Sequence, residues 1–537
     1  MAQNPDDAHR GRHSAGIALG LLAGLVLAVF FFRTRNIDDR MRAWVVGELR
    51  QRFHSEVELE GLHVEVFPRM GVSGQGLSLR YHHRTDLPPM FHIERFSFNL
   101  GVLGILHAPR HIAGIYVENM TITIPPRGET SHQPSADSGK TREPVPSVIV
   151  DEIVCNDTRL VILPKKKDKD PLEFDIHDLV LKAVGADRPF DFHGNLTNAK
   201  PKGEINTNGK FGSWDADEPG DTPVSGSYQF TNADLGPFPG IAGILSSTGN
   251  YSGQLNEIQV AGQTDTPDFS LDRIGHAVPL HTEYSATVNG TDGDTYLHPV
   301  RATLLHSLII ANGSVVLVPA QGHIITLDVR SEKARIEDVL RLATKADQPF
   351  LTGVLNLQTK FLVPPGGVRV LDKLKLDGEF QVSDGQWASA EVREKLESLS
   401  RHAEGQPTNE SAGSSVSDLR GHFRLDRGII TFKDLTFSVP GAAVQLQGSY
   451  KLRSEELDFS GDLRMKAKLS QTVTGAKSFF LKAIDPFFAK KGAGAVIPIR
   501  ISGTRGSPTI GVTIFHKTMK KKLGGGQDKP DNPSSPQ

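Results

Sequence analysis

The chain has 537 residues, with 60 Lys and Arg against 62 Asp and Glu, for a net charge of −2. That balance gives no footing for a nucleic-acid partner held by phosphate contacts. The single cysteine, Cys155, excludes an internal disulfide and a cysteine-built metal site, and 53 glycines with 33 prolines point to many short β strands.

After a polar N-terminal tail (1–14), residues 15–32 read AGIALGLLAGLVLAVFFF without a charged side chain. As a helix this run spans ~27 Å, close to the hydrocarbon thickness of a bilayer. Arg10 and Arg12 precede it and Arg33 and Arg35 end it, with no small-residue cleavage site, so it reads as an uncleaved transmembrane anchor. Leu19, Leu22, Val26 and Phe30 are its membrane-facing residues. Gly16, Gly20 and Gly24, four apart, would allow self-association through the anchor. The arginines that follow favour a cytoplasmic body, yet large domains translocate regardless of charge, so the pattern leaves orientation open.

The membrane-proximal region, 33–126, starts with helical spacing from Ile37 to Phe53, where Ile37, Met41, Val45 and Leu49 share one face. This helix is expected to lie against the membrane surface or the first strands. Val57–Leu59 and Leu62–Val66 predict strands on either side of a turn or bulge at Gly61. Gly71, Gly74 and Gly76 predict a tight connection into Leu77, Leu79 and Tyr81; without a helix pattern behind them they are no phosphate loop. Strands follow at Phe91–Leu100 and Ile115–Ile124, and the polar stretch 127–147 reads as a flexible linker.

Residues 148–410 alternate short strands with Gly, Asn, Asp and Pro. Asn289–Gly290 and Asn312–Gly313 are hairpin-turn dipeptides, and Lys165–Lys167 suit a solvated hairpin tip. Helices are expected at Arg335–Ala346 and Ser389–Ala403. The block 411–515 has the strictest alternation: Val444, Leu446, Gly448, Tyr450 and Leu452, then Leu457, Phe459, Gly461, Leu463, Met465, Ala467 and Leu469. It predicts long antiparallel strands, apolar on one face and polar on the other. The apolar face must be covered, and few helices are available to cover it. Periodicity alone favours a second sheet packed as a sandwich; the alternative is a curled sheet whose trough a ligand fills. Between them, 477–491 (KSFFLKAIDPFFAKK) interleaves Phe479, Phe480, Phe487 and Phe488 with lysines including Lys482 and Lys490. This suits a membrane surface or one end of the trough, or a short helix packed on the sheet. The tail 516–537 is expected to be disordered.

No enzyme motif emerges. His107 and His111 have helical i,i+4 spacing, but Pro109 lies between them and no zinc-protease glutamate accompanies them. No Walker sequence, nucleophile elbow or EF-hand loop is present, so no cofactor, no metal and no catalytic residue is expected.

Three stretches carry a resemblance: Val57–Arg80 with its FPR and glycine pattern behind an anchor and helix, Gly421–Ser470 (GHFRLDRGIITFKDLTFSVPGAAVQLQGSYKLRSEELDFSGDLRMKAKLS), and Ile497–Val512 (IPIRISGTRGSPTIGV). Together they resemble the AsmA-like family of Gram-negative envelope proteins, which are related to bridge-like lipid-transfer proteins. The resemblance implies an inner-membrane, single-pass protein with its body in the periplasm, and it raises the trough above the sandwich. It implies phospholipid as a partner, with envelope assembly proteins as further partners. The resulting expectation is a mainly β chain: a transmembrane helix, then an elongated, curled, groove-like antiparallel sheet with a few short helices. Val444, Leu446, Leu457, Phe459, Leu463 and Met465 are the expected acyl-chain lining. The alternative is a closed-core module assisting outer-membrane protein assembly through protein contacts.

Overall fold

The computed structural model describes residues 37–53, 55–65, 71–80, 86–99, 110–126, 148–164, 171–185, 188–199, 201–215, 218–271, 275–290, 292–388, 390–404, 417–467, 494–505, 507–514 and 517–522. The expected anchor, the 127–147 linker, Lys165–Lys167 and the 477–491 segment lie outside the described residues. The chain is mainly β, with one curled, half-barrel-like sheet and a few short helices.

The strands run from β1 (Glu56–Glu65), β2 (Gly71–Arg80) and β3 (Phe91–Asn99) through short β4 (Arg110–Ile112) to β5 (Ile115–Ile124). Next come β6 (Val148–Ile162), β7 (Leu172–Val184), β8 (Phe190–Ala199), β9 (Lys202–Phe211), β10 (Pro223–Asp234), two-residue β11 (Ile241–Ala242), β12 (Ile244–Gln254) and β13 (Glu257–Leu271). The series continues with β14 (Val278–Val288), β15 (Thr295–Leu304), β16 (Ser307–Val318), β17 (Gly322–Arg335), β18 (Leu351–Val363) and β19 (Lys375–Trp387). It closes with β20 (Ser417–Asp426), β21 (Ile429–Val439), β22 (Ala442–Lys451), β23 (Glu456–Met465), β24 (Ala495–Thr504), β25 (Ser507–Ile514) and β26 (Lys517–Lys522).

Nearly every strand pairs antiparallel with the next in sequence. Short β4 and β11 are set aside from that ladder, and β5 and β6 pair in parallel. A parallel pair needs a long return connection, which explains the separation of Ile124 from Val148. Register shifts recur, as between Phe230 and Ala233 and between Ser331 and Ala334. Such bulges bend a strand and deepen its twist, so they help the sheet curl.

Helix α1 (Ile37–Phe53) lies on the first strands, which settles the choice the sequence left for it. Its side chains also close the open edge of β1. Val64 N–H donates to Asp38 Oδ1 at 2.8 Å, Arg42 Nε donates to Leu59 O at 2.8 Å, and Arg50 donates to Val57 O at 3.2 Å. These groups would otherwise invite another strand. Helix α2 (Ile336–Ala343), the single-turn α3 (Val370–Lys373) and α4 (Ala390–Ala403) sit at strand ends.

Several expectations need correction. There is no separate second sheet among the described residues: their strands join into one continuous, curled sheet. Gly61 is not a turn, because β1 runs through it and faces Gln75 without a change of register. Gly71, Gly74 and Gly76 lie within β2, where a Cβ at Gly74 would come within 2.3 Å of the Phe96 ring, so glycine makes room for an aromatic. Asn289–Gly290 does follow β14 at a turn, but Asn312–Gly313 lies inside β16. There a Cβ on Gly313 would stand 1.9 Å from Thr326 O, so the residue serves close strand approach. Finally, β23 stops at Met465, where Lys466 N–H turns to Gly441 O at 3.0 Å.

Candidate functional site

One face can be followed across the sheet through the cross-strand partners. Val57 faces Leu79, Leu79 faces Phe91 and Phe91 faces Ile122. Far along the same face, Phe361 stands opposite Leu327 and Leu376, and Val444 opposite Phe437 and Leu463. The opposite face is polar and exposed, with cross-strand ion pairs such as Arg95–Glu118 (2.8 Å), Lys210–Asp191 (3.0 Å) and Arg500–Asp458 (3.0 Å). Strict alternation thus becomes one inward apolar face and one solvated outer face.

The inward face falls into three stretches. From β1 to β7 it is covered: Val57, Leu59, Val72, Phe96, Phe98 and Val117 are buried, with Ile37, Met41, Val45 and Leu49 of α1 packed on them. Cys155 belongs to this cluster, and burial pushes its thiol up to about 12. From β8 to β17 most of the inward face is uncovered. Along β13, residues 257–265 alternate strictly between exposed and half-buried, and inward Ile325, Leu327 and Val329 of β17 are likewise half-buried. The half-burial of Leu327 and Val329 leaves these side chains partly exposed, whereas Ile325 packs with the cluster of Val363, Leu374 and Leu425. From β18 onward small clusters return, including Leu351, Leu355 and Val382 beneath Val339 and Leu340 of α2.

The six expected lining residues come together on this third stretch. Ala442 pairs with Met465, Val444 with Leu463, Gly448 with Phe459 and Tyr450 with Leu457, placing all six on the inward face of β22 and β23. Val444, Leu446, Phe459 and Met465 are buried, while Leu457 and Leu463 are half-buried. Met465 packs with Ala403 at the end of α4, so that end of the strand pair is capped. The more accessible apolar positions, such as Leu327, Val329 and Ile258, lie in the central strands and were not singled out by sequence. Their alternation is visible there, but their lack of a cover is a tertiary property.

The central stretch contains a band of hydroxyls that interrupts its hydrocarbon character. Tyr284 Oη meets Tyr228 Oη, which lies 3.0 Å from Ser247 Oγ, and Ser247 Oγ donates to Gln263 O at 3.0 Å. Tyr251 Oη is 2.7 Å from Thr207 Oγ1, which donates to Ser227 O at 3.0 Å. Thr264 and Thr282 share a hydrogen bond of 2.6 Å. The tyrosine rings lie over glycines on the next strand: a Cβ at Gly226 would be 2.6 Å from Tyr251 Oη, and one at Gly249 would be 2.8 Å from Tyr228 Cε1. Burial raises the pKa of both Tyr228 and Tyr251, so both stay protonated as donors.

The curl also brings opposite strand ends together. Phe91, at one end of β3, meets Trp214, which follows the opposite end of β9, in a tilted ring contact at 5.6 Å. Leu172, starting β7, lies against Gly293 after β14. Val370 N–H donates to Pro239 O at 2.8 Å, joining the loop after β10 to the turn after β18.

No family model, curated protein or solved structure matches the chain. Among the described residues no helix is long and apolar enough to cross a membrane; Leu19, Leu22, Val26 and Phe30 of the expected anchor lie outside them. So do Phe479, Phe480, Lys482, Phe487, Phe488 and Lys490.

Proposed function

We propose that the chain is a non-enzymatic lipid-conveying protein, held in the inner membrane by residues 15–32 with its body in the periplasm. The sheet's inward face would take phospholipid acyl chains and contribute to outer-membrane biogenesis. The observation that carries this is the inward face of the central strands, half-buried rather than buried and apolar over much of its area. Hydrocarbon entering it gains ~0.8 kcal/mol per methylene removed from water, so acyl chains need no specific polar partner there. The AsmA-like resemblance of the chain ends supplies the envelope setting and the direction of the body.

Native mass spectrometry of the detergent-extracted full chain tests this: co-purified phospholipid is expected, and a lipid-free protein overturns it. A photo-crosslinker at Leu327 should label lipid, whereas one at outward Asp328 should not. A second reading, a closed-core module acting through protein contacts, draws on the burial of the first strands beneath α1 and of Val444, Leu446 and Phe459. It predicts no lipid at either crosslinker position.

A further inference from the structure

We infer that the hydroxyl band on β9–β14 is a binding site for the uncharged, hydroxyl-bearing head of an acyl lipid, such as a glycerol or sugar group. The inference rests on the acyl-chain reading above and names what the trough recognises besides hydrocarbon.

The band combines three properties. First, it is uncharged. Its inward residues from β9 to β14 comprise Thr207, Tyr228, Ser247, Tyr251, Thr264, Thr282, Tyr284 and the buried Thr266 among apolar residues and glycines, with no Lys, Arg, Asp or Glu on that face. An anionic phosphate would lie there without a counter-charge, at a large desolvation cost. A neutral polar group carries no such penalty.

Second, the hydrogens of the band are assigned by what they already bond. Ser247 gives its hydrogen to Gln263 O, so Tyr228 donates to Ser247 and Tyr284 donates to Tyr228. Thr207 gives its hydrogen to Ser227 O, so Tyr251 donates to Thr207. Both chains drain into the backbone and leave the Tyr284 and Tyr251 oxygens at their heads with open lone pairs. The Thr264–Thr282 pair shares one bond between two hydroxyls, so one hydrogen remains to donate. The band therefore offers two acceptors and one donor, which a pair of neighbouring hydroxyls satisfies. An ester carbonyl alone meets only the donor.

Third, the residues that carry the open groups are partly exposed. Tyr251, Thr264, Thr282 and Tyr284 are half-buried on the uncovered face, and the flanking inward positions Val260, Leu280, Leu297 and Val300 are apolar. A head at the band and a tail along its flank is the arrangement that matches.

The test compares two probes of equal chain length, a monoacylglycerol and the fatty-acid methyl ester, bound to the full-length chain and to the Tyr251→Phe, Tyr284→Phe and double Thr264→Val/Thr282→Val variants, the double change being needed because either threonine alone keeps a hydrogen to donate. The rings remain over their glycines in the phenylalanine variants, and circular dichroism checks that each variant is folded. Each lost neutral hydrogen bond should weaken the monoacylglycerol about threefold to tenfold and leave the methyl ester unchanged. Lysophosphatidic acid of the same length should bind less tightly than the monoacylglycerol. If monoacylglycerol affinity is unchanged in the folded variants while both probes bind, the head-group site is refuted and the acyl-chain reading stands. If the unmodified chain binds neither probe, both fail. Should a tyrosine variant not fold, the Thr264→Val/Thr282→Val double variant alone decides between these outcomes.

Discussion

Leu327 and Leu355 both point inward, one on β17 and one on β18, and they separate an open trough from a closed core. Leu355 is 3 % exposed and sits beneath α2, whereas Leu327 is half-buried on the uncovered stretch. Leu→Ala removes carbon worth ~2.5 kcal/mol of transfer free energy when fully buried. A cavity term raises the total at Leu355 to ~3–4 kcal/mol. At Leu327 about half of the transfer term applies and no cavity forms, because the space already opens to the trough; the expected loss is ~1 kcal/mol. Urea unfolding of delipidated protein, with Trp387 fluorescence reporting on its neighbourhood, reads the difference. With added lipid, Leu327→Ala should lose part of the lipid-induced stabilisation and Leu355→Ala should not. Equal losses of ~3 kcal/mol at both positions without lipid would mean that Leu327 is covered, and would refute the open trough.

Asp338, 4 % exposed, accepts from Ser307 Oγ at 2.7 Å and from His306 N–H at 3.1 Å, tying α2 to the turn between β15 and β16. Asp338→Ala should cost ~3 kcal/mol and strip amide-exchange protection from 336–343, while Asp338→Asn, which keeps an acceptor, costs less. Gly74→Val should force the Phe96 ring off β2 and lower stability by ~1–3 kcal/mol, measured as a drop in the melting temperature. The Cys155 thiol, raised from 9.0 to about 12 by burial, should react with a disulfide reagent at pH 8 about a thousandfold more slowly than an unfolded control. The native thiol keeps its proton where the unfolded thiol loses it, so this residue's contribution to stability falls as pH rises above 9.0; a Cys155→Ala variant should lack that slope.

Much of the secondary structure was legible from the chain. The helix at Ile37–Phe53 and those near Ile336 and Ala390 follow from apolar spacing, and the strands follow from alternation. The errors came where glycine meant something other than a turn. Gly74 makes room for Phe96 and Gly226 for Tyr251, partners more than twenty residues away, and only cross-strand register reveals such pairs. The hydroxyl band escaped for the same reason. In sequence its tyrosines look like ordinary strand residues, and nothing local says that Tyr228 and Tyr284 meet across β12 and β13. Period alone favours the sandwich only as the commoner solution, because a sandwich and a single curled sheet both bury every second residue; the chain forms the single curled sheet. The choice turns on what stands opposite that face.

The three contacts between opposite strand ends explain how a single sheet can stand without a second layer. Phe91 reaches Trp214 five strands along (β5, β6, β7, β8, β9), and Leu172 reaches Gly293 six along (β8, β9, β10, β12, β13, β14). The loop after β10 reaches the turn after β18, six strands beyond β12. A repeated offset of this size is what accumulated twist and bulge-driven curl produce in a sheet that coils about its own hollow. Each closure is small: a ring pair, a leucine against a glycine, one backbone hydrogen bond. Each contributes on the order of 1 kcal/mol, far less than a strand ladder of about ten hydrogen bonds. The ladders therefore supply most of the wall's stability, and breaking a single closure costs little by comparison. In the proposed function that difference is what admits an acyl chain sideways without unfolding the sheet.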